Sequence, residues 1–105
     1  MLSLVAVDGA SMRPALEPGD RLLVVRRRRY RPGDVVAARD PREPARTIVK
    51  RVASVEPDGR LVLHGDDPAA STDSRAFGPV ERRHVVGRAV YRYAPPERAG
   101  RVRRP

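Results

Sequence analysis

The sequence predicts a small, mainly β domain with little helix, and three observations lead there. Eight glycines and 11 prolines in 105 residues interrupt the chain too often for long helices. The apolar residues fall in short runs, as in Leu22–Val25, Val35–Ala38 and Leu61–Leu63, each flanked by polar or turn-forming residues. Turn chemistry recurs between those runs, at Pro18-Gly19-Asp20, Pro32-Gly33-Asp34 and Pro57-Asp58-Gly59. Proline followed by glycine suits the centre of a type II turn, and Asp-Gly is a preferred hairpin closure. The two Pro-Gly-Asp signals are what a meander of strands produces, and do not by themselves make a repeat.

Taken in order, Leu2–Val7 reads as a strand ending at Asp8-Gly9, and Pro14–Pro18 as irregular chain or one helical turn. Arg21–Arg26 and Val35–Ala38 read as strands that follow turns. Arg39–Arg46, with Pro41 and Pro44 among charges, reads as a solvated loop. Thr47–Glu56 is the strongest strand signal, and hairpins through Asp58-Gly59 onto Arg60–His64. Period-two alternation places Ile48, Lys50, Val52 and Ser54 on one face of that strand and Arg51 on the other. Gly65–Gly78 is a long connection of small and polar residues, a length that usually carries function. Val85–Tyr93 returns as a last strand. The expected organisation is one domain over residues 1–93 and a basic, disordered tail over 94–105.

Composition narrows the chemistry. There is no cysteine, which removes disulfides, thiolate nucleophiles and Cys-ligated zinc. His64 and His84 are too few for a typical imidazole metal site, so neither a metal nor another cofactor is expected. The formal net charge is +9, yet the chain has no Asn or Gln, one Ile and one Lys against 21 Arg. That narrow alphabet reflects a bias towards arginine. Arg26–Arg29 with Tyr30 and Arg31 is accordingly read as a charged strand end and loop, the other reading being a phosphate-binding patch. Tyr30, Phe77, Tyr91 and Tyr93 are the only aromatics, too few for a base-stacking platform, and no nucleic-acid partner is expected. No apolar window is long enough to cross a bilayer, and Leu2–Val7 is read as neither signal peptide nor anchor. The expectation is a soluble, cytoplasmic protein, with membrane association through a partner or the basic surface as the alternative.

The chemistry centres on Gly9-Ala10-Ser11-Met12-Arg13-Pro14 and on Lys50. A serine needs a base before it attacks a carbonyl, and arginine cannot serve because its pKa lies above about 12. Lysine serves if burial lowers its pKa, and Lys50 sits between Ile48 and Val52, a setting that desolvates an ammonium. Alone, each residue also has a plainer reading: Ser11 as a turn former and Lys50 as a half-buried strand lysine reaching water.

The combination is far more specific. Gly9-x-Ser11-Met12-x-Pro14-x-Leu16, Gly19-Asp20, Val49-Lys50-Arg51, Gly65-Asp66 and Ser71-x-Asp73-Ser74-Arg75-x-Phe77-Gly78 resemble, in order and spacing, the type I signal peptidase family. The resemblance covers about residues 5–93. It implies a barrel-like antiparallel β-sheet of the signal peptidase/LexA type, and a serine endopeptidase that removes an N-terminal leader from a precursor protein. It implies Ser11 as nucleophile, Lys50 as general base, and the Ser11 N–H as an oxyanion donor. Ser71 matches the hydroxyl that orients the lysine amine, Asp73 and Arg75 a supporting pair, and Met12 a packing residue. Pro14 and Asp66 fall on further motif positions. Gly9 stands where one branch of the family carries a second, side-chain oxyanion donor. Short, anchorless chains with this Ser–Lys spacing resemble the nickel-type superoxide dismutase maturation proteases. Alternatives are a general signal peptidase-like enzyme at the membrane, a LexA-type self-cleaving domain, and a basic module binding nucleic acid or a membrane surface.

Overall fold

The computed structural model describes residues 1–103; Arg104 and Pro105 lie outside the described residues. Seven strands form one sheet: β1 (Leu2–Ala6), β2 (Arg21–Val25), β3 (Val35–Asp40), β4 (Glu43–Val55), β5 (Leu61–His64), β6 (Val85–Ala94) and β7 (Gly100–Arg101). Their spatial order is β1-β2-β6-β3-β4-β5, with β7 beside β6, and every pairing is antiparallel. The expected mainly β, antiparallel architecture is therefore what forms. Among the described residues helix is confined to α1 (Ser74–Phe77) and three single 3₁₀ turns.

The turn chemistry acts as its residues dictate. Gly19, Gly33 and Gly59 have φ of 89°, 93° and 90°, backbone that L side chains strongly disfavour. The central strand is β3, apolar on both faces. Val35 and Ala37 enter one cluster with Val7, Met12, Leu16, Leu22, Val24, Val49 and Ala89. Val36 and Ala38 enter a second, with Tyr30, Ile48, Val52, Leu61, Leu63, Val80 and Val85. A strand buried on both sides needs no alternation, which is why β3 reads as a continuous apolar run.

Three local expectations differ from the structure. Residues 39–46 are not a loop: β3 runs to Asp40, β4 starts at Glu43, and the two pair as one long hairpin. Asp40 makes this work, accepting from the Arg42 N–H and from the Arg42 guanidinium, so a charged, proline-bearing stretch closes a tight turn. Ser54 does not share the buried face of Ile48, Lys50 and Val52, because a register shift between Val52 and Ser54 breaks the alternation. Residues 95–103 are ordered where a tail was expected. Pro96–Arg98 makes a 3₁₀ turn, β7 pairs with Tyr91 and Arg92 of β6, and Val102 packs against the first cluster. The remainder of the expected tail, Arg104 and Pro105, falls outside the described residues.

Candidate active site

Ser11 stands on the turn after β1. Gly9 has φ of 80°, which lets the chain reverse after Asp8, and Leu16 N–H donates to the Met12 carbonyl to close one helical turn beyond the serine. Met12 and Leu16 fill the first cluster and pin that turn to the core. Pro14, exposed on the same turn, follows a cis peptide bond. Among the described residues no acceptor takes the Ser11 N–H, whereas the Ser11 carbonyl accepts from Asp67 N–H at 2.8 Å.

Lys50 reaches the same point from the middle of β4. It is only 5 % exposed, so the strand lysine does not extend to water. Its Nζ lies 2.9 Å from Ser11 Oγ and 3.1 Å from Ser71 Oγ. Ser71 Oγ donates to Asp73 Oδ2 at 2.7 Å. Arg51, next in the chain, faces the other way and grips Asp66 through two hydrogen bonds of 2.8 Å. Alternation thus gives two adjacent cations separate tasks.

Asp73 holds the site together. Its burial alone would raise the carboxyl pKa. The Arg75 guanidinium, the Gly65 N–H, the Ser71 hydroxyl and the Arg75 N–H outweigh that and hold it well below the usual carboxylate range. An ionised carboxylate only accepts, so the Ser71 proton points at Asp73 and the lone pairs of Ser71 face Lys50. For Lys50, burial is the leading cause of a pKa below the ordinary lysine value. Asp73 opposes the shift, while Arg46 and Arg42 add to it by repulsion.

Three segments meet at Gly65, a residue that the motif contains but to which no role had been assigned. A Cβ there would lie 2.3 Å from Ser71 Oγ and 2.8 Å from the Ser11 carbonyl oxygen. No side chain fits. What marks Gly65 is the close packing of three chain segments, which spacing along one chain does not reveal.

Ser11 and Lys50 line a cavity of about 180 Å³ shared with Gly9, Ala10, Arg46 and Thr72. Beside it, β4 pairs with β3 on one side, while β5 pairs only from Arg51 onward. The other edge of Glu43–Lys50 carries no strand among the described residues. The rim arginines were also missed by sequence reasoning. Arg42 is held by Asp40 and lies over the Phe77 ring, and Arg46 forms a 3.9 Å ion pair with Asp8. His64 sits on β5 opposite Arg51, and among the described residues it makes no hydrogen bond to Ser11. Among the described residues no His, Asp and Glu cluster is placed to hold a metal ion. Nor is any helix long and apolar enough to cross a membrane.

The site therefore brings together Ser11, Lys50, Ser71, Asp73 and Arg75, with Met12 packed beneath and Asp66 one step removed through Arg51. A family model described as signal peptidase, peptidase S26, matches residues 1–59 and 54–94. The chain is 36 % identical over 121 aligned positions to a mitochondrial inner membrane protease subunit 2 of Danio rerio, covering 91 % of this chain and 66 % of the relative. It is 33 % identical to a mitochondrial ATP-independent inner membrane protease subunit 1a of Arabidopsis thaliana, covering 98 % and 77 %. A subunit 2 from Schizosaccharomyces pombe is 32 % identical, covering 97 % and 70 %. The chain thus spans about two thirds to three quarters of the length of these relatives. The chain belongs to the signal peptidase family of peptidases, peptidase S26.

Proposed function

We propose that the protein is a serine endopeptidase in which Ser11 is the nucleophile and Lys50 the general base. The observation that carries this reading is the buried 2.9 Å approach of Lys50 Nζ to Ser11 Oγ, in a chain with no other lysine. In the neutral amine, one N–H donates to Ser71 and the nitrogen lone pair accepts the Ser11 proton. Ser11 Oγ then attacks the scissile carbonyl carbon and its proton passes to Lys50. The oxyanion faces the Ser11 N–H, a kind of donor worth about 10²–10³ in rate. Lys50 returns the proton to the departing amine as the C–N bond breaks, leaving an ester on Ser11. Water, deprotonated by Lys50, cleaves that ester and restores the hydroxyl.

The substrate is an extended peptide added to the open edge of β4 at Glu43–Lys50, where backbone hydrogen bonds hold any sequence and the small cavity beside Ser11 selects side chains. The family relationship supports a precursor with an N-terminal leader as that peptide. Resemblance to the nickel-type superoxide dismutase maturation proteases makes that precursor the first to try. Precursors processed by general signal peptidases come second.

Incubating the protein with each precursor and reading products by mass spectrometry tests the reading. Ser11→Ala and Lys50→Arg are each expected to lower cleavage by about 10⁴-fold or more while melting as the wild type does. Wild-type cleavage by Lys50→Arg would show that the dyad is wrong, because arginine stays charged.

A further inference from the structure

The arginine run after β2 acquires a partner in the fold. Arg26, Arg27, Arg28 and Tyr30 line a cavity of about 230 Å³ with Arg82, Arg83 and Val85, so two arginine clusters far apart in sequence converge on one basin. Arg83 is paired with Glu81 at 2.6 Å. Among the described residues, Arg26, Arg27, Arg28 and Arg82 have no carboxylate at ion-pair distance. That contrasts with the site region, where Arg42, Arg51 and Arg75 each hold an aspartate. Clustered guanidinium groups, four of them without a paired carboxylate among the described residues, are a receptor for phosphate oxygens.

An apolar edge adjoins the basin. The Arg26 N–H donates to the Met1 carbonyl at 3.0 Å, which seats the start of β1 beside the arginines. Met1 is exposed, and Leu2 and Leu4, which share one face of edge strand β1, are 59 % and 65 % exposed. Tyr30 is buried and its hydroxyl accepts from the Arg27 N–H, so its ring offers nothing for a base to stack on. Guanidinium groups beside exposed leucines match the headgroup and outer acyl layers of a bilayer.

We propose that the Arg26–Arg28/Arg82–Arg83 basin binds the phosphates of anionic phospholipids, with Met1, Leu2 and Leu4 entering the interface beside it. The test is cosedimentation of the full chain with phosphatidylcholine vesicles, with and without phosphatidylglycerol. Inorganic polyphosphate and a short DNA duplex are measured in parallel. The wild type is expected to bind the anionic vesicles alone, and less as salt rises. At roughly five-fold per unit charge, the four-unit change in the variant Arg27→Glu/Arg82→Glu should weaken binding to them on the order of several hundred-fold. Its thermal melt, compared with that of the wild type, confirms that it is folded. Leu2→Ser should weaken vesicle binding and leave any polyphosphate binding unchanged. Equal binding to neutral vesicles, or undiminished binding by the double variant, would overturn the proposal. So would binding to polyphosphate or duplex with none to vesicles.

Discussion

Asp73 and Asp20 are two buried aspartates built from the same parts. Each is about 1–2 % exposed and accepts from arginine guanidinium groups and from backbone N–H groups. For both, burial alone would raise the carboxyl pKa, and the arginine and backbone hydrogen bonds hold it below the usual range instead. They differ in what they reach. Asp73 takes the Ser71 hydroxyl and, through it, orients Lys50. Asp20 takes the Glu17 N–H and binds Arg92 and Arg98, and Arg92 also donates to the Ala15 carbonyl on the turn that follows Ser11. One carboxylate sets the direction of a proton; the other fixes the backbone that carries Ser11. A buried aspartate–arginine pair therefore says nothing about its task until the next hydrogen bond is followed.

Substitutions separate the two tasks. The largest effect is expected for Asp73→Asn. Loss of the fixed Ser71 orientation should lower kcat by up to about a hundred-fold. The Asp73 charge raises the Lys50 pKa, so its removal moves the acid limb of the kcat/KM profile to lower pH. A limb that stays in place with full kcat would detach Asp73 from the base.

Asp20→Asn should instead cost about 2–4 kcal/mol of stability in urea denaturation and leave the acid limb where it is. The sign with pH follows from its lowered pKa. The Asp20 contribution is complete above the unfolded carboxyl value near pH 4 and disappears as pH falls through the lower folded value. The gap in stability between wild type and variant should accordingly close in acid. An Asp20→Asn protein whose acid limb shifts like that of Asp73→Asn would erase the distinction.

Arg46→Ala is expected to do least. Arg46 depresses the Lys50 pKa by repulsion from the cavity rim, so its removal moves the acid limb to higher pH. Because the Arg46 side chain is half exposed, high salt should abolish the difference between variant and wild type. A difference that persists in high salt would point to a contact with the peptide instead.

The asymmetry between the two aspartates also marks how far the sequence could be read. Strands were legible because Pro-Gly-Asp and Asp-Gly turns separate short apolar runs, signals that act within a few residues. The serine–lysine approach spans 39 positions; the single lysine suggested Lys50 as the partner of Ser11, and the shared motif order added Ser71 and Asp73. The C-terminal segment was illegible because Arg98 and backbone hydrogen bonds anchor it, with Val102 its apolar contact with the core among the described residues. The outer half of β4 was hidden for a similar reason. Its strand is secured by Asp40 and the β3 ladder, while Pro44, Arg46 and Thr47 face solvent and give a loop-like composition.

The single lysine offers the most direct test of the central claim. Protein made with side-chain-labelled lysine gives one lysine resonance, and its titration by nuclear magnetic resonance reports Lys50 alone. Burial of Lys50 predicts a midpoint below that of an ordinary lysine, so that the neutral amine needed to deprotonate Ser11 is present at lower pH than usual. A midpoint at or above the ordinary lysine value would contradict it, since Lys50 would then remain a charged partner of Ser11 and not its base.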